Sequence, residues 1–586
     1  MATKKFMNDV NDAVSESLSG LCCAYPHLDY HASKRVVLKS DWHNGSDKVA
    51  IICGGGSGHE PFASGFVGAG MLTAAVAGSV FAAPPPNNIL HALRCASHNN
   101  NAGVLVIIPN YTGDCLNFGI AIEEARQDGL TVIADIIVGD DCSIPIEEQG
   151  RAGKRGLVGL LFVIKIAGSL AFRGKSLEDI TRTAETVSQN IATYGVGLCP
   201  CSMPGQGPMF EMPRNQIEIG LGVHGEAGYK RIEWREASKI VEILLDRIIE
   251  ELKLIKGTAV AVIINNFGGS SQLEQGIVVH EVVKQLKNLG ISPLRVYSGS
   301  LMTSLDSAGM HISVLHLMDE KSSLFLDCLD DQTEAPCWPG RTYSLPLTER
   351  PQIQIDEKSG KRSAPKVGRK FDDDRLANLM RDCLKNACDA IIANEEKIND
   401  LDRGCGDGDC GSTHKNLAEG ILSALDGLQF RYPASLLLEL SWIAEDRMGG
   451  TSGAIYSLMF KAAVSEFVDC TNDEKCWNRT WLRVWKRALA GITKYSKATP
   501  GDRTMLDTLT PACEALEKNL SNPLNEIVNQ IAKSAWSGCE ATKSMTPMTG
   551  RASYVKQAEF LNNVDAGSFA VAICINAITE TIAKFL

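Results

Sequence analysis

The sequence contains no Cys-x-x-Cys pair and no excess of positive charge. Each absence removes a class of function. The nineteen cysteines are odd in number and scattered singly, apart from Cys22-Cys23 and Cys199-Pro-Cys201, so neither a disulfide framework nor a metal-like spacing is expected. They read as buried reduced thiols in a reducing compartment. A formal net charge of −11 excludes broad non-specific nucleic-acid binding, so an anionic substrate would need local help from metals or backbone N–H groups. The N-terminal MATKKFMNDV lacks the apolar stretch of a signal peptide. The most apolar segment, 156–172, is broken by Lys165 and too short to cross a bilayer. A cytoplasmic chain with no membrane partner is the expectation. Nucleotide fingerprints are missing from the first half as well. Counting from Gly54 and Gly56, the third glycine of a dinucleotide motif falls on His59. The stretch GSLAFRGKS (168–176) has one residue too many for a phosphate-binding loop and reads as a surface turn.

What is present divides the chain. At 586 residues, two to four folding units are expected. Segments 48–53, 102–109, 131–138 and 258–265 are near-continuous apolar runs, as buried parallel strands require. They predict an α/β domain of two subdomains over 1–340, with its site in the turns at the strands' carboxyl ends. Residues 341–371, rich in charge and proline, read as a linker. Over 372–586 the apolar period becomes helical and strand-like runs disappear, predicting an all-helical bundle or barrel of about eight helices.

Two sets of motifs carry chemistry. GGGSGHEP (54–61) places bare backbone beside His59 after a strand. In the helical part, LDRGCGDGDCGSTHK (401–415) brings Asp402, Asp407 and Asp409 within eight residues. Hard cations such as Mg²⁺ favour this donor type. Read as a calcium loop, positions five and twelve would be Gly411 and Ala418, so that pattern fails, while a plain helix-capping loop remains open. MGGTSGAIY (448–456) offers N–H groups at a helix start, a phosphate seat. TPGDRTMLD (499–507) and TGRASY (549–554) add Arg503 and Arg551. Together these turns favour a Mg-nucleotide site in the helical domain.

In this order, GGGSGHEP, NYTGD, GLGVHGEAG, GDGDCG, MGGTSGA, PGDRTMLD and GRASY resemble the ATP-dependent dihydroxyacetone kinases over nearly the whole chain. The nearest likeness is to the animal bifunctional branch that also cleaves FAD to AMP and cyclic FMN. The resemblance implies a substrate domain followed by a helical-barrel nucleotide domain, in a homodimer. It implies substrate contacts at Gly56, Ser57, Gly58, His59 and Asp114, with His224 as covalent anchor. It implies two Mg²⁺ ions on Asp402, Asp407 and Asp409, and ATP contacts at Asp407, Gly408, Asp409, Cys410, Thr451, Ser452, Thr504, Met505, Asp565, Ala566 and Gly567, with Arg551 or Arg503 neutralising charge. For FAD cleavage it implies Mn²⁺ or Co²⁺.

The residue types suit that chemistry. A neutral imidazole attacks a carbonyl carbon to give a hemiaminal, selecting dihydroxyacetone or glyceraldehyde over glycerol. Asp114 would accept the substrate hydroxyl proton, assisted by His59. From sequence alone, His224 is equally a structural hydrogen bonder in a glycine turn, and Asp114 a turn cap. Two departures stand out: Pro109 where the family commonly has lysine, and Ser496 where glycine is usual. A non-catalytic regulator is a further reading, which the retained Asp trio, His59, Asp114 and His224 oppose. So is a kinase that recycles its bound nucleotide in place, which the fusion of both domains in one chain disfavours.

Overall fold

The computed structural model describes residues 2–44, 46–130, 132–340, 364–468, 477–496, 498–555 and 562–586. The chain divides into two compact units, one on either side of the segment 341–363. Most of the expected linker therefore lies outside the described residues.

The first unit holds two six-stranded sheets. In chain order the first contains β1 (Leu28–His31), β2 (Val36–Lys39), β3 (Ala50–Ser57), β4 (Ala74–Val80), β5 (Val104–Pro109) and β6 (Ile133–Val138). They lie side by side as β1-β2-β4-β3-β5-β6, with β4, β3, β5 and β6 parallel and the β1–β2 edge antiparallel. The second contains β7 (Ile191–Gly197), β8 (Gln216–Ile219), β9 (Lys230–Glu233), β10 (Ala259–Asn266), β11 (Ser292–Gly299) and β12 (Gly309–His316). Its order is β11-β10-β12-β7-β8-β9, and only β10 with β11 is parallel. Segment 258–265 is thus a buried strand as its apolar run predicts, but its other neighbour, β12, runs antiparallel.

Side-chain alternation explains why the strands read as continuous apolar runs. Ile51 and Cys53 of β3 enter a core shared with Leu105 of β5, while Ala50 and Ile52 pack on the opposite face with Val104 and Val106. In the second sheet, Ala261 and Ile263 join that same shared core, whereas Val260, Val262 and Ile264 pack with helix Ala237–Leu252. Both faces are covered, so both must be apolar. The helix common to the two sheets is Leu160–Phe172, which is buried almost throughout. Lys165, fully buried in its middle, donates from Nζ to the carbonyls of Cys328 and Asp331 at 2.7 and 2.9 Å. Gly168 closes against the Met71 backbone, where a Cβ would come within 2.4 Å. The 168–176 stretch is the end of this helix, a left-handed turn at Gly174 and the cap of the next helix, Ser176. No phosphate loop is formed.

The second unit is helical throughout its described residues. Nine α-helices span Asp374–Ala393, Glu395–Asp402, Cys410–Ala424, Pro433–Arg447, Gly450–Val468, Trp477–Tyr495, Leu506–Lys518, Leu524–Ala541 and Ala566–Phe585. The count exceeds the expected eight; Glu395–Asp402, only two turns long, falls below what apolar periodicity resolves. Among the described residues, Ala566–Phe585 is the one helix long and apolar enough to cross a membrane by length and composition. Half of that apolar window is buried in the unit, with Phe569, Ala570, Val571 and Ile573 inside the core. None of the seventeen described cysteines forms a disulfide, and most are buried.

Candidate active site

In the first unit, β3 runs through the glycines. Gly54 to Ser57 are strand residues rather than a loop, and the turn begins at Gly58, with φ +95°. The small residues are needed for close approach. A Cβ at Gly54 would come within 2.3 Å of the Val76 carbonyl of β4, and one at Gly56 within 2.9 Å of the Ala82 backbone nitrogen. At Gly58 a Cβ would meet the Phe81 ring at 2.7 Å. Ser57 Oγ donates to the Gly78 carbonyl at 2.8 Å. Ser57 and Gly58 therefore lie behind the wall of the cavity that Gly55, Gly56, His59, Pro109, Asp114 and His224 line.

His59 is buried, and its Nδ1 donates to the Thr303 carbonyl at 3.0 Å. That bond fixes the tautomer and leaves Nε2 as an acceptor, which is buried without a partner. Burial, reinforced by His224, lowers the His59 pKa to about 3, so the ring is neutral. The ring stacks on Phe81, with centroids 5.2 Å apart, and meets His224 edge-on at 4.8 Å. His224 sits in the 220–228 turn between β8 and β9. Its N–H donates to Glu226, whose carboxylate pairs with Arg155 at 2.8 Å. Arg155 is held in turn by Asp141 and by the Gly220 carbonyl. The turn is thereby clamped at both ends, while burial lowers the pKa of the His224 ring. Tyr111 closes against the same ring at 4.6 Å.

Asp114 belongs to the first turn of helix Thr112–Gln127, which follows β5, so NYTGD is a helix start rather than a free turn. Its Oδ1 is buried and unpartnered, and burial raises its pKa to about 7. An uncompensated buried carboxylate is costly. Such a group, poised near neutrality in a cavity with two neutral imidazoles, marks a site for chemistry.

The second unit gathers the other motifs. A cavity of about 410 Å³ is lined by Asp402, Asp407, Asp409, Cys410, Thr451, Ser452, Arg503, Thr504, Met505, Asp565, Ala566 and Gly567. Three helices begin there, at Cys410, Gly450 and Ala566. Their first N–H groups have no partner within the helix and favour anions. Gly408, at φ +75°, folds its loop back so that its N–H donates to Asp402 Oδ2 at 2.9 Å. Carboxylate oxygens of Asp402, Asp407 and Asp409 lie within 4.8 Å of one another, a donor set that fits Mg²⁺. Arg503 is buried in the left-handed conformation and donates to the Asn563 carbonyl at 2.8 Å. The Arg551 side chain lies outside the described residues.

Several groups that support the lining residues were not evident from sequence. Phe81, at φ +59°, holds both imidazoles, and Thr303 sets the His59 tautomer from 244 residues away. Asp507 accepts from the Gly501 and Thr504 N–H groups and shapes the loop before its helix.

Comparison with known proteins agrees with this division. A Dak1 domain matches residues 19–337 and a DAK2 domain residues 404–580. The mouse (Mus musculus) triokinase/FMN cyclase is 38% identical, over 99% of each chain. The dihydroxyacetone kinase of Pichia angusta is 33% identical, over 99% of each. The crystal structure of the C. freundii dihydroxyacetone kinase in complex with AMP-PNP and Mg²⁺ matches with a TM-score of 0.65, at 30% identity and covering 99% of this chain and all of that one. An α/β unit followed by a helical unit is the two-part architecture of that kinase. This chain belongs to the Dak1–DAK2 family of dihydroxyacetone kinases and triokinase/FMN cyclases.

Proposed function

We propose that this chain transfers the γ-phosphoryl group of ATP to dihydroxyacetone or D-glyceraldehyde, held as a hemiaminal on His224. The observation that carries this reading is the pairing of two neutral imidazoles with an unpartnered Asp114 oxygen in one buried cavity. A neutral His224 ring has a lone pair for attack on the carbonyl carbon. The new C–N bond displaces the C=O π electrons onto oxygen, which takes up a proton while the ring gives one up. Asp114 then accepts the proton of the terminal hydroxyl as that oxygen attacks phosphorus, and His59 Nε2 orients the hydroxyl. Glycerol has no carbonyl and so forms no such bond.

In the helical unit, Asp402, Asp407 and Asp409 would hold Mg²⁺, which supplies charge neutralisation on the phosphates. The helix starts at Cys410, Thr451–Ser452 and Ala566–Gly567 would seat the phosphate oxygens, with Thr504, Met505 and Asp565 around the nucleotide. ADP release measured with dihydroxyacetone, D-glyceraldehyde and glycerol in parallel tests the reading. Turnover of the two carbonyl substrates and not of glycerol is expected, whereas glycerol turnover alone would refute the covalent histidine.

A second activity is favoured by the likeness to the triokinase/FMN cyclase over 99% of both chains. The same cavity would bind FAD with Mn²⁺ or Co²⁺ and release AMP and cyclic FMN, a step with no need of His224. We also assign the chain a cytoplasmic location and a homodimeric state; sedimentation of the full chain at twice the monomer mass checks the latter.

A further inference from the structure

Away from both cavities, His31, His91 and Cys95 bring three ligand atoms within 4.8 Å of one another. His31 ends the edge strand β1, while His91 and Cys95 are four residues apart on helix Pro86–Ala96 and so share a face. His91 Nε2 stands 2.8 Å from His31 Nδ1 and 3.7 Å from Cys95 Sγ. On the far side of its ring, His31 Nε2 is 3.2 Å from Asp29 Oδ2, an oxygen that also accepts from Trp42 Nε1 at 3.1 Å.

From this arrangement we propose that His31, His91 and Cys95 form a binding site for a zinc-class divalent ion, with Asp29 as the carboxylate that orients His31. Nitrogen and thiolate donors suit a borderline-soft ion and not Mg²⁺. With Zn–N near 2.05 Å and Zn–S near 2.3 Å, tetrahedral angles put S···N at about 3.6 Å and N···N at about 3.3 Å. The Cys95–His91 separation already matches, the two rings need to part by about half an ångström, and the Cys95 and His31 ligand atoms lie within 4.8 Å of each other. Histidine ligands characteristically donate their second ring N–H to a carboxylate, as His31 does to Asp29.

Charge also balances, since the thiolate and Asp29 together offset a dication. The Cys95 thiol gives up its proton when it ligates. Binding forms the metal–sulfur bond and releases that proton to solvent, while the His91 proton moves to Nδ1. The ion would fasten β1 to the helix whose N-terminal approach carries Phe81, behind the substrate cavity.

The test uses the tag-free full chain, stripped with chelator and kept in excess Mg²⁺ so that the aspartate trio is filled. Titration with Zn²⁺ is expected to give one tight site per chain and a raised Tm. Cys95→Ser and His91→Ala should each weaken binding by about 100-fold or more, and Asp29→Asn by about 10–100-fold. Co²⁺ alone should produce thiolate-to-metal charge-transfer absorption that Cys95→Ser abolishes and Asp407→Asn retains. Kinase turnover in Mg²⁺ reports folding of the Cys95, His91 and Asp29 variants, and the melting transition reports that of Asp407→Asn; His31→Gln replaces His91→Ala if that variant loses turnover. Absence of a zinc site in the wild type, or binding and absorption unchanged in these variants, overturns the assignment and leaves only a hydrogen-bonded cluster.

Discussion

The two cavities solve opposite electrostatic problems. In the α/β unit, burial strips charge from the site: His59 and His224 are neutral and Asp114 is held near neutrality. In the helical unit, three carboxylates and several helix starts line one cavity, a lining suited to a cation and phosphate. On the proposed reading, the first makes and breaks bonds to hydrogen and carbon and the second holds phosphate and metal. The difference teaches that a phosphoryl-transfer enzyme can separate nucleophile activation from charge neutralisation and give each its own dielectric.

That contrast can be broken in stages. Asp407→Ala removes a carboxylate from the metal site and should lower kinase turnover by on the order of 10³-fold or more. Any FAD cleavage should fall with it, measured as cyclic FMN release. His224→Ala should cost the kinase on a similar scale but leave FAD cleavage intact; equal loss of both would dissolve the division of labour. Asp114→Asn should reduce kcat by about 10²–10⁴-fold with little change in ATP affinity. In the unsubstituted chain kcat/KM should fall as pH drops through about 7, where the Asp114 carboxyl takes up its proton, and the substitution should remove that limb.

Stability should move the other way. Asp114 has a folded pKa of about 7 against an ordinary 3.8, so the folded chain binds more protons between those values. Its contribution to stability is therefore lost as pH rises through that window. Asp114→Asn should raise Tm at pH 8 by up to a few degrees, read by differential scanning fluorimetry. A smaller loss follows at Gly58, where φ is +95° and a Cβ would press on Phe81. Gly58→Ala should cost about 1–3 kcal/mol of stability in the α/β unit and leave nucleotide binding unchanged. The mildest change is Pro109→Lys at the cavity wall, expected to lower the triose KM by a few-fold through an added cation; unchanged kinetics would show that Pro109 has no part in substrate affinity.

Much of this was legible in the chain because the physics behind it is local. β3, β5 and β10 were found because both of their faces are buried and each reads as one apolar run; the edge strand β6 was found through its isoleucines and valine, although Asp135 and Ile137 are exposed. Six of the remaining eight strands escaped for identifiable reasons. β1, β2, β8 and β9 are only four residues long. β7 and β12 carry buried polar residues, with Thr193 and Ser313 hydrogen-bonded to each other across the pair at 2.8 Å. The glycines of 54–58 were visible as a motif, but their purpose was not. Gly54 and Gly56 admit β4 and the Phe81–Ala82 backbone, an approach no local pattern encodes. In the helical unit the turns named from sequence do converge, because a helix start advertises itself through Gly, Ser and Asp. His31 and His91 stand 60 residues apart, and only the packing of an edge strand on a helix brings them together.

The buried helix Leu160–Phe172 serves both sheets of the α/β unit at once. Neither sheet can lose its packing without uncovering that helix, including a lysine whose ammonium is satisfied only by the carbonyls of Cys328 and Asp331. In a calorimeter the twelve strands should therefore give a single endotherm rather than two, and the helical unit should melt as a separate peak that Mg²⁺ and nucleotide move independently of it.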